Sequence, residues 1–346
     1  MSNVNSSRSN NFDFIRIAAA FSVLFSHQYA LMGIKEPSIL NVHSLGGLSI
    51  LIFFSISGFL VSQSFDLDPN AWRFLFKRFL RIWPALAVVI IITSLALGPL
   101  ITNLTMSEYF AHENFIKYFK NLYFSTKDIL PLEFSGNALQ WSLNGSLWTI
   151  PLEVKCYLLL AFVGSFGAFR NKYVIPTLFF ILALVYFWME PNFGHLIESS
   201  KISVNDYYLF QFSIFFMAGA CFYKLKIHEN FKLALALLVI GWILGGIAVL
   251  FLKPILALFF VVPITTLFLG NLNTDIINRA GRYGDISYGI YIYAFPVQQT
   301  FIWLWKDAIP WWLLLFFVLI TTTIFAFLSW HLIEKKALKL KGALKK

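Results

Sequence analysis

Hydrophobic positions along the chain fall into long runs separated by short polar connections. The runs predict ten membrane-spanning helices, at 12–32, 44–64, 83–103, 148–168, 173–190, 206–223, 232–251, 255–270, 285–305 and 310–332. A helix needs roughly 20 apolar residues to cross the hydrocarbon core, and most of the runs meet that length. The runs at 173–190 and 255–270 are short. The expected fold class is therefore all-α, a polytopic transmembrane helix bundle of about ten spans forming one integral-membrane domain over 1–346. The polar N-terminus MSNVNSSRSNN precedes a first run that carries Arg16 and His27, so that run reads as a retained span and not a cleaved signal. The longest hydrophilic connection, 104–147, holds Pro131, Gly136, Asn137 and several aromatic residues. It reads either as an interfacial amphipathic segment or as a lid over an outward-facing acceptor site. No internal repeat, low-complexity stretch or second soluble domain stands out.

Composition agrees with the pattern. Of 346 residues, 58% are hydrophobic and 13% charged, against about 25% charged in a soluble domain. Mean hydropathy is +0.71, too apolar for a single water-soluble core. The net charge of +10 could suggest nucleic acid, but Lys and Arg sit largely in short loops between apolar runs, so no nucleic-acid partner is expected. With ten spans and both termini cytoplasmic, eighteen Lys and Arg lie inside and seven outside. That asymmetry follows the positive-inside rule and favours this orientation. Cys156 and Cys221 lie in or beside apolar runs and form no CxxC pair, so neither a metal site nor a disulfide framework is signalled.

Ionisable residues inside spans are costly and mark candidate functional sites. Arg16 and His27 are eleven residues apart, about three turns plus roughly 20°, which puts both on one helix face about 16 Å apart along the axis. Asp13 is three residues before Arg16 and can pair with it. A structural account has Arg16 snorkelling to headgroups and His27 packed between helices. In WRFLFKRFLRIWP, Arg78 and Arg81 share a face at the inner boundary of the third span. They serve as a topology signal or as a phosphate clamp, since guanidinium binds phosphate oxygens bidentately. Glu153 falls about five residues into the fourth span, at the depth of His27, and a buried carboxylate there needs a partner. His27 is a candidate partner; an ordinary ion pair with an arginine is the alternative.

Taken in order, these segments resemble the acyltransferase-3 family of bacterial membrane O-acyltransferases. Asp13, Arg16 and His27 are similar to its opening Asp-x-x-Arg and Arg-x10-His pattern. Ser57, Gly58 and Phe59 match its FF-x-x-SGF motif, and Arg78, Arg81 and Pro84 its Arg-x-x-Arg-x-x-Pro motif. Trp148 and Glu153 resemble Leu-Trp-x4-Glu; Ser287, Tyr288 and Tyr291 resemble Ser-Tyr-x-x-Tyr; Glu334 resembles the closing Glu-Lys segment. The chain departs from many members at Ala294, where they carry a histidine three residues after the second tyrosine. No fused hydrolase-like domain is expected after Glu334.

The resemblance implies transfer of an acyl group, usually acetyl from acetyl-CoA, to a hydroxyl of an extracytoplasmic glycan such as O-antigen or a lipid-linked saccharide, at the bacterial inner membrane. Acyl-CoA is then a substrate, with no tightly bound cofactor and no metal. The expected layout places Arg16, Arg78 and Arg81 on CoA phosphates, and His27 as general base oriented by Glu153. Trp148, Ser57 and Tyr288 are candidate substrate contacts, and Ser57 or His27 could carry a covalent acyl group. Rival readings are a secondary transporter, with the buried charges as an ion pathway, and a non-catalytic partner of a glycan-assembly complex.

Overall fold

The computed structural model describes residues 10–41, 43–125, 130–274 and 277–345. Arg8, Lys127 and Lys346, which enter the charge count, lie outside the described residues. All ten predicted runs are helices: α1 Phe12–Leu31, α2 Leu45–Leu67, α3 Ala71–Ile92, α4 Ile150–Ser165, α5 Val174–Met189, α6 Val204–Lys224, α7 Phe231–Leu250, α8 Pro254–Asn271, α9 Ser287–Trp305 and α10 Trp311–Ser329. A two-residue antiparallel pair, β1 Ser38–Ile39 with β2 His43–Ser44, links α1 to α2.

Among the described residues, eight helical stretches are long and apolar enough to cross a membrane; α6 and α9 are not among them. The reason is burial. In α9, 13 of 19 residues are buried, including Gln298 and Gln299, whereas α7 buries only Ala234, Gly241, Gly245 and Ala248. A helix surrounded by protein can carry amides that a lipid-facing helix cannot. The helices also outrun the hydropathy peaks. The third predicted span, 83–103, belongs to a helical stretch from Ala71 to Ile101, so Arg78 and Arg81 lie within the helix and not ahead of it.

The chain divides into two compact units, each built from three separate stretches. The first comprises the described part of Met1–Arg16, Leu48–Leu75 and Lys155–Arg282. Its core gathers Phe12, Ile56, Phe59, Phe222, Ile227 and Leu267. Here α2 and α6 touch backbone to backbone. A Cβ on Gly58 would lie 1.8 Å from the Phe216 carbonyl oxygen, and one on Gly219 would lie 2.1 Å from that of Ser55. Small residues permit such contact between membrane helices. The start of α1 is held by Asn11, whose N–H donates to Gly270 O at 2.9 Å and whose side-chain amide donates to Leu269 O at 3.1 Å.

The second unit comprises Ile17–Gly47, Phe76–Val154 and Tyr283–Lys346. Leu24 and Leu31 of α1, Ala294, Phe295, Val297 and Ile302 of α9, and Leu314 and Val318 of α10 form its core. The described part of the long polar connection is folded and anchored. Tyr109 and Tyr118 are fully buried, with hydroxyls on Ser94 O at 2.8 Å and Thr93 Oγ1 at 3.0 Å. Burial pushes the Tyr109 phenol up to about 12, which keeps it a neutral donor. Both tyrosines meet α3 where it widens into the π turn Thr93–Leu97. Further on, the Gln299 side-chain amide donates to Leu139 O at 2.7 Å and Ser142 O at 2.6 Å, and its Oε1 accepts from Asn137 Nδ2 at 2.8 Å. One buried glutamine thus straps residues 137–142 onto α9.

Candidate functional site

Helix α9 organises the chemistry of the second unit along one face. Tyr288, Tyr291, Phe295 and Gln298 recur at spacings of three, four and three residues, which stacks them on a common stripe. Ten residues of rise spread that stripe over about 15 Å.

At the Tyr288 end sits an ion network centred on Arg81. Its Nη2 lies 2.5 Å from Asp285 Oδ2 and its Nη1 lies 3.1 Å from Glu334 Oε2. The guanidinium stands 5.8 Å from the ring centres of both Tyr288 and Trp330. Glu334 is 1% exposed and its other oxygen accepts from Ser329 Oγ at 3.0 Å. Asp285 accepts from Ser287 Oγ, and the Tyr288 hydroxyl donates to Ile82 O at 2.9 Å. Three motifs distant in sequence therefore meet through Arg81. Gly284, at φ +122° and with Trp330 Nε1 2.0 Å from where a Cβ would stand, is required to be glycine on both counts.

One turn along, the Tyr291 hydroxyl donates to Ser146 O at 2.7 Å and pairs with Thr149 Oγ1 at 2.6 Å. Asn144 Nδ2 donates to Ile292 O at 2.8 Å. These bonds fix the 3-10 turn Gly145–Thr149, which runs directly into α4. Glu153 is four residues beyond Thr149 on the same helical face, within electrostatic range of Tyr288 and Tyr291. Trp148, on the same turn, is half-buried.

The next layer holds His27. Its ring packs edge-on against Phe295, centroids 5.2 Å apart at 78°. Its Nδ1 is buried with no hydrogen-bond partner among the described residues. His27 Nδ1 makes no hydrogen bond to Glu153, whose charge acts on Tyr288 and Tyr291. Beyond His27, Gln298 Nε2 donates to Leu24 O at 2.8 Å and Gln28 Oε1 at 2.9 Å, locking α1 to α9. Ala294, 2% exposed, is part of the apolar packing around Leu24 and Leu31.

Of the residues singled out in the sequence, His27, Arg78, Arg81, Trp148, Glu153 and Tyr288 belong to this unit, and Arg81, Tyr288, Glu153 and His27 are set along or beside α9. Arg16 and Ser57 belong to the first unit. Ser57 is half-buried on α2 beside Gly58, whose close contact with α6 explains the SGF motif through packing. Asp285, Ser146 and the glutamines of α9 were not singled out. A carboxylate at the mouth of an apolar helix, and adjacent amides within one, were the available signals.

A buried histidine with an unpartnered ring nitrogen, set among helices long and apolar enough to cross a membrane, is the candidate site of a multi-pass membrane protein. The acyltransferase-domain family profile matches residues 9–331. The chain is 32% identical, over 96% of both chains, to the O-acetyl transferase of Shigella phage Sf6. It is 30% identical to nodulation protein 10 of Rhizobium leguminosarum bv. viciae, over 98% of this chain and 96% of the other. No solved structure matches. The chain belongs to the acyltransferase-3 family and is a multi-pass membrane acyltransferase.

Proposed function

We propose that the protein moves an acetyl group from cytoplasmic acetyl-CoA to a hydroxyl of an extracytoplasmic polysaccharide, such as O-antigen or its lipid-linked precursor, at the bacterial inner membrane. The observation that carries the reading is the α9 stripe with its Arg81 network, which gathers residues from five of the family-like motifs in one unit. The name of the phage relative supports O-acetylation. The charge asymmetry of the loops supports cytoplasmic termini.

In this reading His27 is the general base. Its open nitrogen accepts the proton of the acceptor hydroxyl as that oxygen attacks the thioester carbonyl carbon. The carbon–sulfur bond then breaks, and His27 returns the proton to the departing sulfur, giving the ester and free CoA thiol. Glu153 acts electrostatically on Tyr288 and Tyr291, and the Tyr291 hydroxyl fixes the turn carrying Trp148. Arg78 is the candidate for CoA phosphates. Arg81 supports that end of the site through Asp285 and Glu334, and Arg16 joins the donor residues on sequence grounds alone. Family membership displaces the transporter and assembly-partner readings.

The test is transfer from labelled acetyl-CoA by purified protein, with mass spectrometry of surface polysaccharide from cells with and without it. His27→Gln keeps a hydrogen-bonding side chain but cannot take the proton, so turnover should fall roughly 10²–10⁴-fold. Wild-type turnover in well-expressed His27→Gln would remove the base from this mechanism.

A further inference from the structure

Ser146 lies on the turn Gly145–Thr149 at the head of the 21-residue helical stretch Gly145–Ser165. It is 1% exposed, and its Oγ is buried with no hydrogen-bond partner among the described residues. A buried hydroxyl left unmatched costs stability, so its retention calls for a reason. Its surroundings supply one. The Ser146 carbonyl is clamped by the Tyr291 hydroxyl, which fixes the turn against α9. A Cβ on neighbouring Gly145 would lie 2.9 Å from the Phe295 ring, and His27 packs edge-on against that same ring. The backbone next to Ser146 and the ring of His27 therefore both meet one phenylalanine, and Ser146 Oγ and His27 Nδ1 are both buried without a partner among the described residues. Ser146 also stands at a helix N-terminus, whose backbone N–H groups and dipole favour negative charge.

We infer that the Ser146 hydroxyl is a catalytic contact that donates a hydrogen bond to the carbonyl oxygen of the donor thioester. When the acceptor oxygen adds to that carbon, the carbonyl oxygen becomes an oxyanion, and Ser146 together with the helix terminus stabilises it. When the carbon–sulfur bond breaks, the oxyanion collapses back to a carbonyl and the hydroxyl keeps its proton throughout. The hydroxyl needs no protein partner because the substrate is its partner. This assignment rests on the acetyl-transfer reading above.

The experiment compares full-length wild type, Ser146→Ala, Ser146→Cys and His27→Gln in lipid nanodiscs, measuring kcat, KM for acetyl-CoA, KM for the acceptor polysaccharide, and thermal stability. Removing one oxyanion donor typically costs about 10²-fold or more in kcat. The expected result for Ser146→Ala is a kcat loss of about that size, both KM values within about twofold, and a melting temperature equal to or above wild type. Ser146→Cys, close in size but a weak donor, should follow it. Unchanged kcat in both Ser146 variants would overturn the assignment. So would a loss confined to acceptor KM, or a loss that tracks a fall in melting temperature. If His27→Gln is inactive while Ser146→Ala turns over normally, only this inference fails. If wild type transfers no acetyl group, the acetyl-transfer reading itself fails.

Discussion

A single methyl group at Gly58 should separate α2 from α6. Its Cβ would stand 1.8 Å from the Phe216 carbonyl oxygen and 2.6 Å from the carbonyl carbon. Ordinary nonbonded contact is about 3.5–4.0 Å, so the two backbones must part by about 1.5 Å or more. A gap of even 0.5–1 Å forfeits roughly a quarter to a half of each contact along the seam. The atoms in the way are backbone and cannot rotate aside, which places Gly58→Ala at or above the upper end of the about 1–3 kcal/mol range for overpacking. At roughly 2 °C per kcal/mol, the melting temperature should fall by about 6 °C. The assay is a thermal melt of detergent-solubilised protein followed by fluorescence-detected gel filtration. Ser57→Ala, which adds no atom between the Gly58 and Phe216 backbones, should melt closer to wild type than Gly58→Ala. A Gly58→Ala protein that melts within about 1 °C of wild type and acetylates normally would refute the packing account of the SGF motif.

Arg78→Ala should raise KM for acetyl-CoA more than it lowers kcat, the mark of lost uniform binding; equal donor affinity in variant and wild type would assign Arg78 to topology. Arg81→Ala should instead lower the yield of folded protein, because it leaves Glu334, 1% exposed, without its arginine; breaking a buried pair costs about 3–5 kcal/mol. Normal yield and melting for Arg81→Ala would show the network to be dispensable. Gln299→Leu should free residues 137–142, read as faster proteolysis or hydrogen exchange there, and unchanged protection would show that the other contacts suffice. Cysteine-accessibility labelling should find the 104–147 connection outside and the loop between α2 and α3 inside; the reverse pattern would invert the orientation.

The sequence by itself determined the helices. Long apolar runs leave the backbone no alternative in lipid, so every predicted run is a helix. The hydropathy pattern also marked Arg16, His27, Arg78, Arg81 and Glu153, since charge within a span is rare enough to stand out. Tertiary structure alone decided what those residues meet. Periodicity put Arg78 and Arg81 on one face as an equivalent pair. The fold gives Arg81 two carboxylates, Asp285 and Glu334, some 200 and 250 residues away. Depth along the helix suggested Glu153 beside His27. In the fold, the turn leading into α4 is tied to α9 by the bond between Thr149 and Tyr291, the charge of Glu153 acts on Tyr288 and Tyr291, and the His27 ring packs against Phe295. Depth follows from residue number, because rise per residue is constant. Rotation about the axis follows from packing against neighbours, and that information is distributed over the whole chain.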